Sequence, residues 1–146
     1  MSIEISPRER ILSTAASLFY EYGYRAVGID RVIAESGVAK ATFYKHFPSK
    51  DELIVAWIDR AEAYSKTSFA MMDEAEPLFA YVDKAVKIAG SPQCFGCTFQ
   101  GSAAEFHDPL HPAHAASIRV KRNVLAHLQE LAKRQGAQEP KRAAEL

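Results

Sequence analysis

The segment from Gly37 to Pro48 limits the possible folds of this chain more than any other part of its sequence. Gly37 ends a short run of helical apolar spacing at 29–36. Pro48 ends a second short run at 39–47, because proline does not extend a helix that precedes it. A glycine between two such runs permits a sharp reversal of the chain. The pattern predicts two short helices joined by a tight turn, the arrangement of a helix-turn-helix.

Capping signals on either side of this segment predict two longer helices. Residues 6–9, with the sequence SPRE, combine an N-cap serine, a proline at the first helical position and a glutamate at the third. They predict a first helix from Pro7 to Tyr22, which Gly23 ends. Residues 49–52, with the sequence SKDE, form a second capping box and open a long fourth helix, which is expected to run to about Met72.

The remainder of the chain continues the helical pattern. Helices are predicted at 78–89, at 98–106 and from Pro112 or Ala113 to Gln135, and a further helix begins after Pro140. No segment alternates with period two for long enough to predict a strand, so the expected fold class is all-α. The chain has 146 residues, of which 48% are hydrophobic, enough for a packed core.

The predicted third helix, residues 39–47, has an apolar face and a polar face. Val38, Phe43 and Phe47 are expected to hold it against the first two helices. The face left exposed is rich in hydrogen-bond donors that suit base edges and phosphates: Lys40, Thr42, Tyr44, Lys45 and His46. A solvated helix face is the alternative interpretation of such a cluster. The turn and the flanking caps favour a helix that enters the major groove of DNA.

Lys50 stands in the first turn of the predicted fourth helix, where its positive charge opposes the helix dipole. A DNA phosphate at that helix N-terminus would account for the lysine. The formal net charge of the chain is zero, which argues against a protein that coats nucleic acid by bulk electrostatics. Basic residues are concentrated at the front: residues 1–50 contain seven Lys and Arg against five Asp and Glu, and residues 51–146 contain eleven against thirteen.

The residues around the predicted turn also carry a family resemblance. It comprises Gly23-Tyr24, residues 28–32 (GIDRV), the run from Gly37 to Lys50 (GVAKATFYKHFPSK) and Leu53. These segments resemble the TetR/AcrR family, over roughly residues 8 to 58. The resemblance implies a DNA-binding transcriptional regulator, a homodimeric and ligand-responsive repressor that binds a palindromic operator in double-stranded DNA through its third helix. It also implies roles for single residues: Tyr44, His46 and Lys50 contact phosphates, and Lys40, Thr42 and Lys45 face bases or the backbone.

Two features depart from the resembled pattern. Val27 and Gly28 stand where family members often have threonines, so a hydroxyl cap on the second helix is missing. The chain also ends at Leu146, whereas the resembled proteins continue through two further helices that usually build the dimer interface. We therefore expect a helix-turn-helix head at residues 1–50, joined by the long helix to a helical effector and dimerisation body at 51–146 whose C-terminus is incomplete.

The resemblance also implies a ligand cavity among the fourth to seventh helices, and an aromatic set in the predicted body is the candidate lining for an unknown small-molecule effector. Its members are Trp57, Tyr64, Phe79, Phe95 and Phe106. Each of them also fits an ordinary core position. No cofactor is predicted.

The alternative chemistry is a metal-responsive or thiol-responsive sensor. Cys94 and Cys97 have the spacing of a dithiol, and His107 and His111 follow closely. A structural zinc site generally has a second tight pair of ligands, so no metal site is expected. A third hypothesis is an effector-binding protein that does not bind an operator.

Other classes of protein are less consistent with the sequence. It has no nucleophile motif, no glycine-rich phosphate loop and no paired catalytic carboxylates, so we expect no enzyme. It has no apolar run of membrane length and no signal peptide, so a cytoplasmic protein with no membrane partner is expected.

Overall fold

The computed structural model describes residues 5–70 and 77–145, and these residues form an all-α fold. The helices within these ranges are α1 (Pro7–Tyr22), α2 (Ile29–Ser36), α3 (Lys40–His46), α4 (Lys50–Ala70), α5 (Pro77–Ala89), α6 (Thr98–Glu105), α7 (Pro112–Arg134) and α8 (Pro140–Glu145). No strand occurs among the described residues, which agrees with the predicted fold class. None of their helices combines the length and the apolar character needed to cross a membrane.

The helix bounds follow the local caps closely. The predicted bounds of α1 and α2 are confirmed. Helix α3 is one residue shorter than predicted at each end because Ala39 and Phe47 adopt extended backbone at its caps, and α6 ends one residue early because Phe106 does so at its C-cap. The predicted end of α4 near Met72 lies outside the described residues.

In both predicted capping boxes, at the starts of α1 and α4, the serine side chain caps the helix as expected. Ser6 Oγ accepts a hydrogen bond from the Glu9 N–H at 3.2 Å. Ser49 Oγ accepts one from the Glu52 N–H at 3.1 Å. The carboxylate of Glu9, which the capping-box pattern directs toward the N-cap, instead accepts from the Arg60 guanidinium of α4 at 2.7 Å. Glu9 therefore links α1 to α4 rather than completing its own cap.

One hydrophobic core extends through the described structure. Its buried members come from α1 to α4, from the α1–α2 loop, and from the chain around α6 and α7: Ile11, Leu12, Ala15, Leu18, Phe19, Tyr24, Val27, Val32, Val38, Phe43, Phe47, Leu53, Ile54, Ile58, Phe106, Ala113, Ala116 and Val120. This single core contains residues from both sides of position 50 in the sequence. The division into a head and a body at that residue stays a prediction.

Helix α4 connects the N-terminal helices to α7. Its residues Leu53, Ile54 and Ile58 are fully buried, and burial of each such side chain stabilises the fold by about 2 kcal/mol. Glu62 lies further along α4 and is also buried, and its carboxylate accepts from Asn123 of α7 at 2.8 Å. Hydrogen bonds from Lys66 and Asn123 lower the pKa of Glu62, so the buried carboxyl group stays charged. This polar contact fixes α7 against α4.

Candidate nucleic-acid interface

The turn between α2 and α3 depends on the backbone conformation of Gly37. Gly37 has a φ of +64° in the left-handed region, and its N–H donates to the Ala34 carbonyl at 3.4 Å. A Cβ at this position would have no neighbour within 4 Å. Glycine is therefore required by the conformation of the turn rather than by lack of space.

The inner face of α3 is fixed by aromatic packing. Phe43 is 0% exposed and Phe47 is 2% exposed, with their ring centroids 6.2 Å apart. The Arg8 guanidinium of α1 lies over the Phe47 ring, 5.1 Å from its centroid. Val38 is buried at the start of the same face. The three apolar residues that the sequence predicted to point inward are confirmed as core.

The polar side chains predicted to contact DNA from α3 differ in their exposure. Lys40, Tyr44 and Lys45 are exposed, while Thr42 and His46 are half-buried. Lys40 Nζ lies 3.7 Å from the Asp30 carboxylate, and both side chains are largely exposed. An exposed pair of this kind contributes about 0–1 kcal/mol, so it does not prevent Lys40 from reaching a phosphate. Within residues 5–70 and 77–145, the side chains of Lys45 and His46 have no hydrogen-bond or ion-pair partner.

Lys50 is half-buried at the start of α4, beside the α1–α2 loop. Its ammonium donates to the Arg25 carbonyl at 3.3 Å. Burial lowers the pKa of Lys50, and the nearby carboxylates of Glu105 and Asp51 oppose this effect. The lysine at this helix N-terminus therefore already has a partner within the fold. Its predicted contact with a DNA phosphate stays a prediction.

Glu105, the last residue of α6, is a site residue that sequence reasoning missed. Its carboxylate accepts hydrogen bonds from the Tyr24 N–H at 2.9 Å and the Arg25 N–H at 2.7 Å. Partners about 80 residues apart leave no periodic or spacing signal in a single sequence. Only the fold shows that α6 holds the loop from which Lys50 takes its hydrogen-bond partner.

The five aromatic residues predicted to line an effector cavity lie in different environments. Trp57 packs against the core and Phe106 is buried in it. Tyr64, Phe79 and Phe95 are 76%, 71% and 61% exposed, respectively. Phe106 stacks on His111, with ring centroids 4.2 Å apart, and thus packs at the α6–α7 connection. The assignment of this set to an effector stays a prediction.

The donors of the alternative metal or thiol site have different surroundings in the structure. Cys94 and Cys97 are free thiols, and Cys97 is the N-cap of α6. His111 stacks on Phe106 and its Nε2 lies 3.6 Å from the Asp51 carboxylate, while His107 is exposed. Across the part of the chain that the structure describes, no group of three or more His, Cys, Asp or Glu is placed to hold a metal ion.

Comparison with known proteins connects this geometry to a family. A model of the family described as bacterial regulatory proteins, tetR family, matches residues 11–57. The chain is similar over most of its length to the crystal structure of SCO4454, a TetR-family transcriptional regulator from Streptomyces coelicolor. The two are 35% identical with a TM-score of 0.85, and the match covers 95% of this chain and 76% of that one.

Curated relatives match the N-terminal part more locally. The HTH-type transcriptional regulator LmrA of Bacillus subtilis is 38% identical over 69 residues, which are 47% of this chain and 37% of LmrA. The HTH-type transcriptional activator FasR of Mycolicibacterium smegmatis is 40% identical over 53 residues, which are 36% of this chain and 24% of FasR. The matches thus span less than two fifths of either relative.

Proposed function

This chain belongs to the TetR family of bacterial regulatory proteins, and we propose that it regulates transcription by binding operator DNA through α3. The observation that carries the proposal is the division of α3 into two faces. Phe43 and Phe47 fix its inner face in the core, whereas Lys40, Tyr44 and Lys45 are exposed. A rigid short helix with donors on its outer face fits the major groove, which is wide enough for one helix.

The polar residues divide into two proposed roles. Tyr44, His46 and Lys50 contact phosphates and fix the register of α3 on the duplex. Lys40, Thr42 and Lys45 face base edges or the backbone, and the operator decides which of them reads sequence. Exposure supports these roles for Lys40, Tyr44 and Lys45, and the half-buried Lys50 begins α4, four residues after the last residue of α3.

Two copies of the chain are proposed to act together on a near-palindromic operator. Each copy would place its α3 in one of two successive major grooves, with centres about 34–36 Å apart. Binding would block transcription in the cytoplasm, which makes the protein a repressor. Because FasR, one of the matched relatives, is named as an activator, repression has to be distinguished from activation by experiment. The relatives named here are regulators, and we assign no catalytic activity to this chain.

A small-molecule effector is proposed to bind among α4–α7 and to release the operator. An effector there would displace α4, which begins at Lys50 beside α3 and packs on α7 through Glu62. A coupling free energy of about 1–3 kcal/mol between the two sites would be sufficient. Trp57, Tyr64, Phe79, Phe95 and Phe106 are the candidate contacts, and Trp57 and Phe106 have the burial that an enclosed ligand requires.

Selection of bound duplexes from a random pool tests the proposal. We expect an enriched palindrome whose half-sites are one helical turn apart. Lys45→Ala should weaken binding to it, and Lys141→Ala, an exposed lysine of α8, serves as the matched control. Recovery of no enriched sequence would contradict operator binding. A reporter gene placed behind the recovered sequence then distinguishes repression from activation.

A further inference from the structure

Helix α6 holds the α1–α2 loop from both of its ends. At its C-terminus, the Glu105 carboxylate accepts from the backbone N–H groups of Tyr24 and Arg25, at 2.9 and 2.7 Å. At its N-terminus, the Thr98 carbonyl accepts from the Tyr24 hydroxyl at 3.0 Å. Hydrogen bonds to an ionised carboxylate are stronger than neutral ones, so the Glu105 end is the stronger attachment.

The packing around Glu105 leaves the loop little freedom to shift. A Cβ on Gly23 would lie 2.9 Å from Glu105 Oε1, closer than such contacts occur, so the carboxylate fits directly against the loop backbone. The Arg25 guanidinium lies over the Phe106 ring at 5.6 Å. The loop is thus held by its backbone and by its side chains against the end of α6.

The same loop also holds Lys50. The Lys50 ammonium donates to the Arg25 carbonyl at 3.3 Å, while the Arg25 N–H donates to Glu105. The backbone of Arg25 therefore connects the Glu105 carboxylate to Lys50, the proposed phosphate-binding lysine. Displacement of this backbone would displace the partner that orients the ammonium.

We propose that Glu105 is a positioning residue for DNA binding, which fixes the backbone at 24–25 and thereby holds Lys50 where it meets a phosphate. This inference rests on the proposed function. Glu105 would not contact DNA itself. Its effect would reach the duplex through the Arg25 carbonyl and the Lys50 ammonium.

Charge and positioning predict opposite results for Glu105→Gln. A carboxylate near Lys50 repels the phosphates of DNA, so charge alone predicts that the substitution tightens binding. A glutamine, however, has one acceptor oxygen, and its amide NH2 would face one of the two backbone N–H groups. Positioning therefore predicts weaker binding, by about tenfold if Lys50 loses its contact.

The salt dependence of binding gives the second readout. Log affinity falls with log salt, and each lost phosphate contact makes this negative slope less steep by about 0.9. Full-length wild type, Glu105→Gln, Lys50→Ala and the double variant are titrated with the duplex recovered by selection at several salt concentrations. Glu130→Gln is the matched control, because this exposed carboxylate of α7 pairs with Arg134 of its own helix.

We expect Glu105→Gln to bind about tenfold more weakly, with a negative salt slope that is less steep by about 0.9. Glu130→Gln should resemble the wild type, and the double variant should be no weaker than Lys50→Ala, since both changes remove the same contact. Equal or tighter binding by Glu105→Gln, or losses that add in the double variant, would overturn the positioning role.

Glu105→Asp keeps the inference testable if Glu105→Gln folds poorly. Aspartate retains the charge but shortens the side chain by one methylene, so positioning predicts a loss of affinity and charge alone predicts none. Wild-type affinity for Glu105→Asp would overturn the inference. If the wild type selects no duplex, the proposed function fails as well; if it binds and only the Glu105 variants are unaffected, this inference alone fails.

Discussion

Phe43→Ala and Tyr44→Ala form a matched pair that tests the division of α3 into a structural face and a binding face. The two aromatic residues are adjacent in sequence, yet Phe43 is 0% exposed and Tyr44 is 41% exposed. Their rings meet edge to face with centroids 5.3 Å apart. Both substitutions remove an aromatic ring from the same helix and introduce alanine, so differences in helix propensity are small.

The expected costs to stability differ by several kcal/mol. Removal of a fully buried phenylalanine loses its transfer free energy and leaves a cavity, which together cost about 3–5 kcal/mol. A small domain has a total stability of about 5–15 kcal/mol, so this loss is a large fraction of it. Tyr44→Ala loses an edge contact and a partly exposed ring, for which we expect about 1 kcal/mol.

Urea denaturation and operator titration together measure both effects. Phe43→Ala should lower the urea midpoint strongly, while Tyr44→Ala should unfold near the wild-type midpoint and bind operator more weakly. Binding is measured at a temperature at which both variants remain folded. A cost below about 1 kcal/mol for Phe43→Ala would refute the assignment of its ring to the core. Wild-type affinity and salt dependence for Tyr44→Ala would refute the binding face.

Three further predictions concern the turn, the α4–α7 contact and the surface of α2. Gly37→Ala should cost about 1–2 kcal/mol in thermal unfolding, and Gly37→Asn less, because asparagine tolerates the left-handed conformation. The pKa of Glu62 is lower in the folded protein than its ordinary value of 4.5, so the charged carboxylate stabilises the fold above pH 4.5 and this stabilisation is lost as the pH falls through the pKa of the folded state. The urea midpoint of Glu62→Gln should therefore decline less on acidification than that of the wild type. Asp30→Asn should change stability by less than about 0.5 kcal/mol, because its pair with Lys40 is exposed, and should tighten operator binding in titrations by releasing that lysine.

The features predicted well from sequence are those that neighbouring residues determine. The bounds of α1 follow from Ser6 and Gly23, which act on the helix ends directly next to them. Phe43 and Phe47 were predicted as core because a spacing of four puts them on one side of a short helix. Local caps and periodicity therefore define most of the helix-turn-helix without knowledge of the tertiary structure.

The features that were missed depend on contacts between distant residues. The helix dipole and the family resemblance assign Lys50 to a phosphate, whereas the fold also supplies the Arg25 carbonyl as its partner. The common role proposed for Tyr64, Phe79 and Phe95 stays a prediction, and their large exposure is a property that aromatic content does not reveal. Composition indicates which side chains are apolar, and only the packing of the helices decides which of them become buried.

The orientation of α3 and the position of Lys50 depend on separate sets of contacts. Phe43 and Phe47 fix α3 against α1, whereas Glu105 acts on Lys50 through the α1–α2 loop. Phosphate contacts carry no sequence information, so a change at Glu105 should weaken binding to operator and to unrelated duplexes by the same factor. We therefore expect Glu105→Gln to leave the ratio of the two affinities unchanged in a competition titration. A lower ratio would show that α6 also orients the reading face of α3, and the separation of the two sets of contacts would then be wrong.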